Sequence, residues 1–534
     1  MRSLAYILLA YLFPALSVAA QPNEQPRPDQ IDLTPDARFT VFEGPLLDNG
    51  RIDYIAALNR HFSRGVTKEN NAFRALFLMM PRNHRPGDPF KQFERQSHIT
   101  DALRITEEEL ENAATFVSWY DYATEQGLDD DQRWDIGDAV EDGTFDHEEI
   151  EVFVQWLESQ EPVFSRLIEA VKLDGYWRPI GEDPQFPGSG LVSGMGGLGE
   201  LRSYARALES RTRFAIHEGD PGKAVESLVA IHWLAYQVSR GHSLIDSLVA
   251  ISIDALGVHL CHHVIKQRKL DKTHIEQLTR GLAAVPESVP VADTMAFGTR
   301  ASHINAFIYV MTSGMRFDEA FPMSFDTEQL EQAIHETGID LDPGVRRLNA
   351  YLLGQAAEAR VPTYAAHQRL RELRDPVVYE PIQAAYDEYV IEDEEADEKW
   401  IEIDAKDFDK DSLTKLLADL FYRELAVGSG AARTMFRLRA QQQVMAAALA
   451  CERYRHDQGE YPKSLQQLVP DYLPEVPIDP MDGEPLRYRR AVEGTAVIYS
   501  INTDLEDDGG ATDANDYEAT NEGDYVWRLE LPKD

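Results

Sequence analysis

The amino-acid sequence predicts a mainly α fold: stacked helical hairpins followed by a small α+β domain made of one long helix and a short antiparallel sheet. Three observations carry this expectation. Apolar residues recur at helical spacing from Ile52 to about residue 390, and strict two-residue alternation is almost absent there. Strong turn signals cut the middle of the chain into paired helices. Only after residue 485 do short strand-like runs follow one another.

Residues 1–20 have the form of a secretory signal. Arg2 supplies the positive start, Leu4 to Leu16 a short apolar run broken by Pro14, and Val18-Ala19-Ala20 the small side chains a signal peptidase requires. Cleavage is expected after Ala20. The run falls short of the ~20 apolar residues that span a bilayer, which argues against an N-terminal anchor. No cysteine follows it, and no later stretch reads as long and apolar enough to cross a membrane. The mature protein is expected to be exported, periplasmic or extracellular, with no stable membrane span. Residues 21–48, rich in Pro, Gln and Asp, form a polar linker with little to bury.

An N-terminal helical region follows at 49–185, where Ile52, Ile55, Ala56, Leu58 and Phe62 share one face. Further helical patterns fall at 67–80, 106–127 and 147–173. A helical body spans 186–430 and opens on a glycine-rich loop from Gly188 to Gly199. Helices are expected at 201–217, 223–238 and 244–267, parted by Gly219-Asp220-Pro221-Gly222 and by Gly241. These are hairpins of the kind that stack in layers, without a repeat of fixed period. Residues 391–411 form an acidic run, read as an exposed loop or solvated helix face, or as a docking surface for a basic partner.

Composition narrows the function. A formal net charge of −40 disfavours nucleic acid and anionic lipid, both polyanions, and suits a solvated exported protein. The two cysteines, Cys261 and Cys451, both lie in apolar helical stretches. In an oxidising compartment they either pair, tying the middle helices to the C-terminal domain, or remain separate buried thiols.

The C-terminal domain is expected over 431–534. A long helix from Ala431 to His456 ends at Gly459, and a short helix from Ser464 to Val469 follows, capped by Ser464. Strands are expected at 485–490, 496–500 and 525–531. Along this order run Gly459-Glu460-Tyr461-Pro462, Tyr472-Leu473, Pro477-Ile478-Asp479-Pro480, Tyr499-Ser500, Asp504, Gly509-Gly510 and Asp524. These residues resemble the globular domain of the major (G-type) pseudopilin of type II secretion, over about the last fifth of the chain. A pseudopilin begins with a leader and a hydrophobic filament helix; here the helix is polar and lies behind four hundred residues. The resemblance therefore implies a reused C-terminal module. The segment Gly65-Val66-Thr67-Lys68-Glu69-Asn70-Asn71-Ala72 resembles the N-terminal signature of large exported bacterial proteins of unknown role.

The pseudopilin resemblance implies a Ca²⁺ ion in the 500–524 loop, with Asp504 and Asp524 as ligands and the carbonyls of Tyr499 or Asn502 as further oxygens. Asp507, Asp508, Asp513 and Asp516 lie nearby. Independently, so many carboxylates in one short loop repel unless screened, and a hard divalent ion takes 6–8 oxygens. A weaker EF-hand-like pattern runs from Asp138 to Glu149, with the non-ligating Val140 at its third position. His259 and His263 sit one helical turn apart and could chelate zinc with a third ligand such as His232 or His242, or else are core histidines. Gly194-x-Gly196-x-x-Gly199 matches a dinucleotide fingerprint only formally, because no strand precedes it. The favoured reading is a non-enzymatic envelope protein whose calcium-binding terminal domain mediates assembly or contacts with other envelope or secretion proteins. The alternative is a periplasmic or secreted hydrolase with an acidic cleft in the helical body.

Overall fold

The computed structural model describes residues 33, 35–48, 50–81, 97–143, 145, 148, 150–181, 197–312, 328–393, 398–401, 403–424, 428–490, 494–510 and 523–530. Residues 1–32, which hold the expected signal and the first part of the expected linker, and residues 188–196 of the glycine-rich run lie outside the described residues. The chain is mainly helical, with a small three-stranded antiparallel sheet near its end.

The N-terminal part contains α1 (Tyr54–Phe62), α2 (Ala72–Leu78), α3 (Asp130–Asp142) and α4 (Glu151–Ala170). Helix α3 falls between the helical patterns expected at 106–127 and 147–173 and takes in the start of the EF-hand-like pattern. Asp129 caps it with a reciprocal Gln132 contact, and Gly143 ends it in the left-handed region. The following hairpins match the sequence closely: α5 (Leu198–His217), α6 (Pro221–Ser239) and α7 (Leu244–Lys266). Asp220 caps α6, whose first residue is a proline, and Ser243 forms a capping box with Asp246 at the start of α7. By length and a mean hydropathy of 1.7, α7 meets the test for a membrane span, which corrects the expectation that no later stretch would. Its apolarity has a local cause: α5, α6 and a long C-terminal helix all pack against it.

After α8 (Lys272–Ala283) a π-helical turn, Met295–Thr299, leads into α9 (Arg300–Thr312). Then come α10 (Glu328–Thr337), α11 (Leu341–Glu358), α12 (Tyr364–Arg374) and α13 (Tyr379–Tyr389). The acidic run is neither loop nor helix at its start. It folds into a hairpin of β1 (Val390–Asp393) and β2 (Glu398–Ile401), paired antiparallel. Helix α14 (Lys410–Glu424) packs on α11.

The last segment holds α15 (Gly428–Gln458), β3 (Arg487–Arg490), β4 (Ala496–Ser500) and β5 (Tyr525–Leu529), in sheet order β3-β4-β5. The short helix expected at 464 is a 3-10 turn, Leu465–Leu468, and Ser464 makes no capping bond to it. One apolar core runs from Ala72 through α5, α6 and α7 to Leu529, so the C-terminal segment shares its interior with the body. A second core gathers α1, α9, α11 and α14.

A buried ion pair anchors to α7 the strip that runs from Tyr176 of the first core to Ile180 of the second. Arg178 Nη2 donates to Asp246 Oδ1 at 2.6 Å, with both side chains almost wholly out of solvent. Asp246 Oδ2 accepts from the Ser243 amide at 3.0 Å and its hydroxyl at 2.6 Å. A Cβ on Gly241 would collide with the Asp246 carboxylate, so glycine is required there. Removing one partner of such a pair strands the other charge. Asp246→Ala is therefore expected to lower unfolding free energy by about 3–5 kcal/mol, measured in urea. A loss below about 1 kcal/mol would mean that the pair does not anchor the strip.

Candidate metal loop and the carboxylates around it

Two buried carboxylates build the frame of the C-terminal segment. Asp479, from the Pro-Ile-Asp-Pro run, is fully buried. It accepts from Met481 N (3.0 Å), Ser500 Oγ (2.8 Å), Ile501 N (3.1 Å) and Arg487 Nη1 (2.9 Å). One side chain thus ties the proline-stiffened turn to β3 and to the end of β4. Glu452 on α15 accepts from Arg268 Nη1 (2.6 Å), Arg455 Nε (2.8 Å) and Tyr461 Oη (2.7 Å). Arg268 follows α7, holds a left-handed φ of 57°, and also donates to the Glu530 carbonyl. The Glu452 cluster therefore fastens the terminal segment to the body.

The loop after β4 hangs from this frame. Asn502 and Leu505 adopt φ of 54° and 62°, conformations uncommon outside glycine, and Asn502 Nδ2 donates to the Gly523 carbonyl at 3.0 Å. Asp504 accepts from the amides of Glu506 (3.2 Å) and Gly523 (2.6 Å), closing the loop across its two ends. Asp507 accepts from Tyr499 Oη (3.1 Å) and Gly509 N (2.9 Å). Gly510 packs so closely on Tyr499 that a Cβ would lie 2.9 Å from the ring, and its amide donates to Asp524 Oδ2 at 2.7 Å. Asp524 is only 6% exposed, and its Oδ1 is buried without a hydrogen-bond partner.

The structure thus brings Asp504, Asp507, Asp508 and Asp524 to one loop. Asp504 and Asp507 spend oxygens on backbone amides, and Asp508 is exposed. Among the described residues no three His, Cys, Asp or Glu side chains converge as a metal-holding group. Asp513 and Asp516 lie outside the described residues. The fit to a hard cation rests on Asp524, whose Oδ1 is buried and has no hydrogen-bond partner. Burial pushes the Asp524 carboxyl up to about 6; the charges of Asp507 and Asp508 add to the rise, and the Gly510 and Asp508 amides oppose it.

Other sequence candidates separate. Asp138 and Val140 are inside α3, so the EF-hand-like pattern is not a loop at its start. His259 and His263 gain no third ligand: His232 is bound to Asp254, and His242 is buried 3.9 Å from Asp246. Cys261 and Cys451 lie on the packed helices α7 and α15 as buried free thiols, so the candidate disulfide is not formed. A cleft of about 470 Å³ lies in the N-terminal region, lined by Ala75, Leu78, Met79 and Leu173, and so outside the helical body where the hydrolase alternative expected one. Its Glu109 is paired with Arg74, whose guanidinium holds the carboxyl down to about 2, the opposite of what a general acid needs. Sequence reasoning missed Asp246 and Glu452, whose partners lie 68 and 184 residues away. Comparison with protein-family models, curated proteins and solved structures finds no match to this chain.

Two outcomes follow. Folding raises the Asp524 pKa above the ordinary value of about 3.9, so in chelator the ionised loop is the destabilised form, and stability falls as pH rises through about 6. Asp524→Asn in chelator at pH 7.5 should therefore stabilise the protein; a lower melting point would contradict this. Both thiols should resist a thiol-reactive dye until the protein unfolds, because burial raises Cys261 and Cys451 far above the ordinary thiol range. Stoichiometric labelling of the native protein would contradict that.

Proposed function

We propose that this chain is an exported, non-catalytic envelope protein whose C-terminal segment binds calcium and mediates assembly or contacts with other envelope or secretion proteins. The observation that carries the reading is the buried, unpartnered Oδ1 of Asp524 in a loop that also holds Asp504, Asp507 and Asp508. A buried carboxylate oxygen with no donor is costly, and a divalent ion removes that cost. Asp504 and Asp524 would supply carboxylate oxygens, and neighbouring backbone carbonyls would complete the shell. The ion would act structurally, neutralising the loop and fixing its two ends.

The packing supports a particular side for contacts. Helix α15 is covered by α7, α8 and the sheet, so it is not free to pack into a filament. Strand β3 is an edge of the sheet, and Ile478 beside it is 47% exposed. Partner contacts are assigned to this sheet side. The resemblance noted in the sequence and the form of residues 1–20 support export; both are part of the proposal.

The test is thermal unfolding of the mature protein with calcium or with chelator. Calcium that binds only the folded state should raise the melting point by mass action, equivalent to about 2.7 kcal/mol at a hundred times the dissociation constant. Asp504→Asn and Asp524→Asn should each abolish that rise. An unchanged melting point in millimolar calcium would sink the metal reading and leave the loop as a hydrogen-bonded turn.

A further inference from the structure

The cleft of about 470 Å³ in the N-terminal region has the size of a small-molecule site. Leu78 and Met79 at the end of α2, with Leu173 beyond α4, give it an apolar wall. Four polar residues line it as well. Glu109 is closed to a ligand: Oε1 accepts from Arg74 Nη2 at 2.6 Å and Oε2 from the Thr106 amide at 3.0 Å. Asn112 ends the short helix Glu107–Asn112, and its Nδ2 donates to the Glu108 carbonyl at 2.9 Å, which leaves its side-chain oxygen as an acceptor. Arg166 and Glu169 lie one turn apart on α4, both exposed.

Arg166 and Glu169 are the free charges of the cleft. Among the described residues neither side chain makes an ion pair or a hydrogen bond, and the two do not pair with each other. Their order along the helix is the less favourable one, because such pairs gain most when the acid precedes the base. Glu169 also stands in the last turn of α4, which holds no basic side chain. The carbonyls that end a helix disfavour a carboxylate there and favour a cation. One turn back, the Arg166 guanidinium offers a planar fork of donors that matches a carboxylate.

We propose that this cleft binds a zwitterion with an apolar body: an apolar amino acid or dipeptide. The ligand's carboxylate meets Arg166, its ammonium meets Glu169 and the C-terminal end of α4, and its side chains lie against Leu78, Met79 and Leu173. Asn112 accepts from the N–H of a peptide bond between the two ends. A ligand with one charge satisfies only one of the two rim residues, so both termini contribute to recognition. No residue of the cleft belongs to the calcium loop, and the inference does not rest on that reading.

Calorimetric titration of the full mature protein in chelator tests this, with leucyl-leucine as the probe. Saturable binding at millimolar affinity or tighter is expected. Glycyl-glycine, which has both charges and no apolar body, should not bind at the same concentrations. Leucyl-leucine amide lacks the carboxylate and acetyl-leucyl-leucine lacks the ammonium; each should bind about fivefold more weakly than the free dipeptide. Arg166→Gln should bind the dipeptide and its amide alike, and Glu169→Gln should bind the dipeptide and its acetylated form alike. Both side chains are exposed, so both variants should keep the parent's melting point. Equal affinity of the parent for the free and both blocked dipeptides would overturn the proposal and leave an apolar cleft with a solvated rim. Absence of saturable binding, or discrimination between termini that survives both substitutions, would overturn it too.

Discussion

The structure depends on a charge placed where no water reaches it. Asp246 is at once the third residue of a capping box, the partner of Arg178 and the reason residue 241 must be glycine. A buried ion pair is a weak source of net stability but a strict condition on geometry, because either charge alone is costly. The pair therefore fixes where the segment carrying Arg178 must lie. Two asparagines deliver that segment. Asn59 pairs with Ile180 through both its amide and its carbonyl (2.9 and 2.7 Å), and Asn71 does the same with Trp177 (3.0 and 2.9 Å). Asn71 also caps α2, so the Thr67 to Ala72 run joins a helix start to the strip that enters the core. On the far side the π-helical turn lets Gly298 sit against the His242 carbonyl, where any Cβ would collide. Wider helical turns of this kind occur where a regular helix would misplace a contact.

The same device recurs at the end of the chain, and it changes what the terminal segment is. Its sequence reads as a module with its own helix and sheet. Its interior is continuous with α5, α6 and α7, and Glu452 exchanges its charge with Arg268 from the body. A segment held this way is part of the body's fold. Its helix is covered by α7, α8 and the sheet, so it is not free to serve as a filament core.

What the sequence made legible follows from range. The hairpins from Leu198 to Lys266 were bounded within a few residues, because caps, turn glycines and helical apolar spacing act over three or four positions. Strand β4 was placed at its observed bounds for the same reason. Helix α3 was missed because its composition is acidic and its apolar stripe thin, and the hairpin of β1 and β2 was hidden by glutamates and aspartates. Helix α7 is long and apolar enough to cross a membrane by length and composition, and its apolar residues lie in the shared core. In the metal loop, aspartates were legible as a cluster. Their division into amide-bound Asp504 and Asp507 and the buried, unpaired oxygen of Asp524 depends on a turn whose φ values no local rule specifies.

Charge distribution gives the loop its distinct character. The chain has few cations for its acids, and it spends them inward: Arg178 on Asp246, Arg268 on Glu452, Arg347 on Asp419, Arg374 on Glu358, Arg487 on Asp479. Each matches a buried or half-buried carboxylate with a guanidinium that forms directed bonds. Many of the other acids, Asp504, Glu506, Asp507 and Asp508 among them, are exposed, where water screens them at little cost. Asp524 breaks that division. It is buried like Asp246 and Glu452, yet it meets two amides, the charges of Asp507 and Asp508, and no arginine. Among the described residues these five carboxylates each meet an arginine, whereas the buried Oδ1 of Asp524 has no hydrogen-bond partner, and the calcium proposal rests on that difference.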